Sequence, residues 1–169
     1  MTPKHASLPG HTAIGRLTEG EIDDILRSNY LARLACVTDG KPYIVPIVYF
    51  YARGDMYGYT SDGRKLAAMR MNPEVCVQVD EIQDFVNWRS VVAWGRFEEV
   101  PPREGEDMLR HLSQRMNIEA HAKREPWQAA WTYVSRTGRY GVMYKIVLHT
   151  KTGRFESSGE ERLAVRYDG

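Results

Sequence analysis

Only two cysteines occur among the 169 residues. Each of them, Cys36 and Cys76, sits in an apolar run. A disulfide framework needs more, so both read as reduced core residues of a cytoplasmic protein. Long apolar runs are missing too: none approaches the roughly 18 residues of a membrane span. The opening Met1–Arg16 has no apolar block of the kind a signal peptide carries. Charge of one sign is also lacking. A formal net charge of +1 gives neither the basic excess expected of a nucleic-acid binder nor an anchor for an acidic membrane. The five histidines, His5, His11, His111, His121 and His149, fall in no HxH or HxxxH spacing, so no metal site is indicated. No GxSxG elbow, phosphate loop or dinucleotide fingerprint occurs.

What is present suits one domain with a core that buries roughly 68–70% of the unfolded surface. Thr18-Glu-Gly-Glu21 is a capping-box pattern, and Ile22, Ile25 and Leu26 follow at helical spacing, so a helix is expected over 18–29. Leu31–Thr38 and Pro42–Tyr51 read as strands joined by Asp39-Gly40, a pair suited to a tight hairpin turn. Pro46, mid-strand, has no N–H to give, so its strand must lie at an edge, at a bulge, or beside something other than a strand. A turn at Arg53–Asp55 leads to a strand over Met56–Thr60. A helix over Arg64–Met71 follows and is stopped by Asn72-Pro73. Val75, Val77 and Val79 alternate in a fourth strand, Ser90–Val100 makes a fifth, and Gly95 within it suggests a barrel corner. A charged amphipathic helix is expected from Arg103 to Ile118 and a short one near Trp127–Tyr133. The last strand is expected over Gly141–Thr150, with Thr152-Gly153 turning out of it. Short antiparallel strands with covering helices point to a mainly β barrel or sandwich. The expected organisation is an arm over 1–16, a barrel domain over 17–154 and a polar tail over 155–169.

One corner gathers polar chemistry. Thr60, Ser61, Gly63, Arg64 and Lys65 stand where the third strand gives way to a helix. A helix N-terminus offers free N–H groups to an anion, and hydroxyls and cations add donors. At roughly 1.5–3 kcal/mol for each charge-assisted bond, four or five donors hold a phosphate at micromolar level. The same residues can equally be a solvated helix start with Ser61 or Asp62 as its cap. Trp88 and Arg89 suit stacking or hydrogen bonding on a ligand, and suit a surface pair as well.

Four segments in this order, LARLACVTDGKPYIVPIVYFY, MYGYTSDGRKLAAMRMNPEVCVQVD, WRSVVAWGRFEEV and MYKIVLHTKTGR, resemble the pyridoxamine 5′-phosphate oxidase-like FMN-binding split barrels. Within these the chain looks most like the branch containing the nitroimidazole-resistance (Nim-type) proteins. The resemblance covers Leu17 to Arg154. It implies a six-stranded antiparallel split barrel and a homodimer with FMN in clefts between the subunits. By position, Arg33, with Leu34 and Ala35, would lie near the flavin, and Val45, Pro46, Ile47 and Val48 would run along its ring system. Tyr59, Thr60, Ser61, Arg64 and Lys65 would bind ribityl and phosphate. Trp88, Arg89 and Ser90, with Val91, would approach from the dimer partner or close the site. The activity implied is an oxidoreductase passing hydride or electrons from a reduced nicotinamide to a small-molecule acceptor. A non-catalytic flavin, haem or deazaflavin F420 binder is the alternative. Nim-type proteins often carry a histidine near the end of the third strand, and here that position is Gly58. No acid or base can be assigned beside the flavin; Tyr49 and Tyr59 are the only candidates.

Overall fold

The computed structural model describes residues 13–101 and 141–158. The helices expected at Arg103–Ile118 and Trp127–Tyr133, residues 1–12 of the opening arm and most of the tail lie outside the described residues. The elements follow in the order β1 (Ala13–Arg16), α1 (Glu19–Ser28), β2 (Leu31–Thr38), β3 (Lys41–Ala52), β4 (Asp55–Thr60), α2 (Arg64–Met71), β5 (Glu74–Ile82), β6 (Trp88–Glu99) and β7 (Val142–Ser157). Among the described residues no helix is long and apolar enough to cross a membrane.

The hairpins form where the turn chemistry permits. Asp39 and Gly40 both have positive φ, as do Arg53 and Gly54, the geometry that matches the right-handed twist of the flanking strands. The strands run antiparallel in the order β1-β7-β4-β3-β2-β5-β6, and β6 also pairs with β7. That last pairing closes six strands into a barrel, with β1 as a seventh strand added along the end of β7. A register shift between Trp94 and Gly95 supplies the bend in β6, as the glycine suggested.

The closure is incomplete at both ends of the short β4. The β3–β4 ladder runs from Ala52↔Asp55 to Tyr49↔Gly58 and stops there, leaving residues 41–48 of β3 without a strand on that edge. On β7, the pairing with β4 ends at Ile146 and the pairing with β1 begins at Arg154. Helix α1 packs at the β7 gap, the opposite end of β4 from the open edge of β3. Its capping box forms: the Glu21 N–H donates to Thr18 Oγ1 at 3.3 Å and the Thr18 N–H to Glu21 Oε2 at 2.7 Å. Its buried face, Ile22, Ile25 and Leu26, joins the core with Leu34, Tyr49, Val77, Val91 and Ile146.

Polar contacts from β3 and β7 fix the helix. Tyr49 donates its hydroxyl to the Leu26 carbonyl at 3.0 Å, and Tyr51 donates to Asp23 Oδ1 at 2.8 Å. Lys151 Nζ donates to the same Asp23 oxygen at 2.5 Å. The strand β7 does not turn out at Thr152-Gly153 as expected; it continues to Ser157. The reason lies in packing. A Cβ on Gly153 would stand 2.7–2.9 Å from Leu17 and Ile22, so this glycine lets the entry of α1 press against the strand. The Leu17 N–H donates to the Gly153 carbonyl at 3.1 Å. A loop reading of Thr152-Gly153 misses this long-range use of the glycine. The same contact draws Ala13–Arg16 out of the opening arm into β1.

Burial opposes ionisation of Asp23, but the hydrogen bonds from Lys151 and Tyr51 outweigh it and hold the carboxyl below its ordinary 3.8. We expect Asp23→Asn to lower the unfolding free energy by about 1 kcal/mol at neutral pH, one charge-assisted bond discounted for partial exposure. A depressed carboxyl pKa contributes stability above its unfolded value and loses it as the pH falls through the folded one. Urea titrations from neutral pH down to about pH 2 should therefore show the advantage of the native protein vanishing at the acid end.

Candidate functional site

Parting of β3 and β4 creates a cleft. One wall is β3 from Tyr43 to Val48; the other is Tyr59, Thr60 and Ser61, leading into α2. The Tyr49 N–H donates to the Tyr30 carbonyl of the β2 side, and backbone direction alternates along a strand. Tyr43, Val45 and Ile47 therefore bond towards β2, while the polar backbone of residues 42, 44, 46 and 48 faces the cleft. Pro42 and Pro46 stand opposite Val37 and Arg33, with their missing N–H on the open side. The mid-strand proline expected at an edge is at one, and its strand is an edge over only part of its length.

The side chains divide. Ile47 is buried in the core, with Val45 partly buried against it. Pro46 is exposed and Val48 half-buried on the opposite, outer face. Thr60 is buried and donates its hydroxyl to the Ser61 carbonyl at 3.1 Å, and Ser61 is exposed. Tyr59 is half-buried, and a Cβ on Gly141 would overlap its ring.

At the end of this wall, the two helices differ in a telling way. α1 has a capping box and two acids in its first turn. α2 has Gly63 at its N-cap, no side-chain cap and no acid in its first turn; its first turn holds Arg64 and Lys65 instead. Cations there oppose the helix dipole. Arg64 lies 3.8 Å from Asp39 and 5.2 Å from the centroid of the Tyr43 ring. Both members of the Arg64–Asp39 pair are largely exposed, so the pair is weak. Lys65 is half-buried, and among the described residues no hydrogen bond or ion pair holds its ammonium. Burial pushes its pKa below the ordinary lysine value, partly offset by the Cys36 thiol nearby. Sequence reading did not foresee that Asp39, Tyr43 and Cys36 would meet this corner, because the β2–β3 hairpin brings them from far along the chain.

Trp88, Arg89 and Ser90 lie elsewhere in the same chain. They begin β6, at the far end of β5 from α2, roughly 25 Å of extended strand away. The Trp88 indole N–H donates to Glu156 at 3.1 Å, and Arg89 pairs with Glu81 at 2.5 Å. Arg33 is 3.8 Å from Asp80. Gln78 Nε2 donates to Asp80 at 3.1 Å and approaches Ser90 Oγ at 3.5 Å, so Arg33 and Ser90 share one polar group on the outer face. The described residues thus bring Arg64 to Tyr43 where the strands part, join Ser90 through Gln78 to Arg33 opposite Pro46, and leave Trp88 and Arg89 on Glu156 and Glu81.

Gly58 marks the apex of the cleft. A Cβ there would lie 2.5 Å from the Tyr144 hydroxyl and 2.6 Å from its ring, so Tyr144 occupies the space a side chain would need. We expect Gly58→Ala to cost about 1–3 kcal/mol by overpacking, and clearly less in a Tyr144→Leu background; a double-mutant cycle of thermal unfolding measures this coupling.

Comparison with known proteins agrees with this architecture. Residues 18–141 match the family described as Pyridoxamine 5′-phosphate oxidase, and the chain belongs to that family. It is 31% identical to a FAD-binding protein from Mesorhizobium loti, with a TM-score of 0.67 over 87% of this chain and 99% of that one. A 5-nitroimidazole antibiotic resistance protein, so named, from Bacteroides thetaiotaomicron shares the fold with a TM-score of 0.62 at 17% identity, over 92% of this chain and 96% of that one. An uncharacterized protein of Rhizobium meliloti is 38% identical over 89 residues, 53% of this chain and 59% of that protein. The match thus spans under two thirds of that relative's length.

Proposed function

We propose that this chain is a flavoprotein that binds FMN in the β3–β4 cleft of a homodimer and serves as an oxidoreductase between a reduced nicotinamide and a small acceptor. The observation that carries the reading is the uncapped, cationic N-terminus of α2 at the mouth of the cleft. Arg64 meets only the exposed Asp39 carboxylate, and among the described residues no anion holds Lys65 or caps the first-turn N–H groups. A phosphate supplies one and relieves both the dipole conflict and the half-buried Lys65. The unpaired backbone edge of β3, with Pro46 exposed along it, suits a planar ring. A bound flavin supplies hydride or single-electron transfer; the chain's own residues orient it and exclude water.

A specific observation favours FAD as the second reading: the Mesorhizobium loti protein bears that cofactor in its name at 31% identity. The corner at Ser61–Arg64 is exposed, so it is sterically open to an extension beyond the first phosphate. Titration of the purified protein with riboflavin, FMN and FAD decides the matter. Lys65→Ala and Arg64→Ala should weaken FMN binding by about 1–3 kcal/mol and riboflavin binding much less. Equal losses for both ligands would place the phosphate elsewhere, and a protein that stays colourless with all three would refute the flavin reading.

The homodimer rests on the outer face. Ile44, Ala35, Cys76 and Trp94 are successive cross-strand partners on β3, β2, β5 and β6 and make one apolar row across four strands. Ile44 is 64% exposed and Trp94 41%, an apolar surface that a second copy can cover. A two-fold partner also offers a route for Trp88 and Arg89 to reach the cleft they do not meet in their own chain. Sedimentation should give about twice 19.4 kDa. Ile44→Glu should shift the protein to monomer and lower its flavin affinity; a dimer unaffected by this change would put the interface on another face.

A further inference from the structure

Tyr144 holds the buried side-chain hydroxyl that lacks a hydrogen-bond partner among the described residues. The residue is 1% exposed, its ring is 5.6 Å from that of Phe97, and burial pushes its pKa far above the ordinary phenol value. The hydroxyl therefore keeps its proton and is available as a donor. Its neighbours in the core are used differently: Tyr49 bonds the Leu26 carbonyl and Tyr51 bonds Asp23. A phenylalanine would fill the same space as Tyr144 without burying an unsatisfied group.

The location gives that hydroxyl a use. Tyr144 faces Gly58 across the β4–β7 ladder, and Gly58 is the last rung of the β3–β4 ladder. Beyond this rung the strands part. The hydroxyl oxygen lies 2.5 Å from where a Gly58 Cβ would stand, so no side chain of Gly58 separates it from the apex. We propose that Tyr144 binds the ring end of the group held in the cleft. Its hydroxyl donates a hydrogen bond past Gly58, directly or through one water, to a carbonyl oxygen or ring nitrogen of a planar heteroaromatic ring. The small residue at position 58 and the tyrosine at 144 then act as a pair, the glycine giving the phenol access. This inference rests on the flavin reading above.

The experiment is a titration of full-length wild type and Tyr144→Phe with riboflavin and FMN, together with thermal unfolding without ligand. Wild-type binding of either flavin tests the parent reading by itself; no binding there overturns both. Given wild-type binding, Tyr144→Phe should lose about fivefold in affinity, the worth of one neutral hydrogen bond, for riboflavin and FMN alike. The flavin absorption should shift, and the ligand-free variant should melt no lower than wild type. This separates the ring end from the phosphate end, where Lys65 matters for FMN alone. Unchanged affinity and spectrum overturn the inference, whether the ligand-free variant melts higher (a merely tolerated hydroxyl) or lower (a structural one). Tyr144→Leu removes the same hydroxyl and should show the same loss for both flavins if the phenylalanine variant fails to fold.

Discussion

Everything in this structure turns on how an incompletely zipped barrel is kept from collapsing or opening further. A sheet edge inside a domain leaves backbone donors and acceptors that must find partners. Here the gap along β7 is covered by α1, and the contacts that hold the helix come from two strands: Tyr49 and Tyr51 from β3, Lys151 from β7. Leu148 of β7, past the end of the β4 ladder, finds its acceptor in the Asp55 carboxylate at 3.2 Å. Burial of Ile22, Ile25 and Leu26 supplies most of the attraction, at roughly 1.5–3 kcal/mol for each fully buried side chain. The polar contacts fix where the helix sits. The stretch beyond Tyr49↔Gly58, at the other end of β4, stays unpaired and forms the cleft.

The two helices show how the same element serves opposite purposes. α1 satisfies its own N-terminus with Thr18 and Glu21 and has acids where the dipole favours them. α2 leaves its N-terminus uncapped and puts cations there. A helix arranged like α2 is locally frustrated, and such conflicts concentrate where a chain meets a ligand. The energetic conflict at Arg64 and Lys65 and the geometric opening between β3 and β4 occur at one place in the fold, which is why the cofactor reading rests on their coincidence.

Local chemistry was legible in the sequence where a residue's role is decided by its neighbours in the chain. The Thr18–Glu21 box, the Asp39-Gly40 turn and the Pro46 restriction each foretold a backbone feature that the structure contains. The resemblance supplied the barrel and its closure, which no local signal specifies. Roles decided across the sheet were not legible. Gly153 looked like a turn residue because its real purpose, room for Leu17 and Ile22, comes from a segment more than a hundred residues earlier. Gly58 looked like a missing histidine; that Tyr144 fills its space depends on the β4–β7 register. In the same way Trp88 and Arg89 read as free ligand-binding groups, while their partners Glu156 and Glu81 sit on neighbouring strands.

The two prolines of β3 have a consequence beyond accommodating a ring. An exposed strand edge is a template on which another chain can add a strand, the first step of aggregation or domain swapping. Along residues 42–48 of this edge, two of the four donor positions facing the opening are proline and offer nothing to bond. An incoming strand would meet acceptors without matching donors at alternate rungs. The edge can therefore stay exposed in a protein awaiting its ligand without becoming a growth point for β-sheet association.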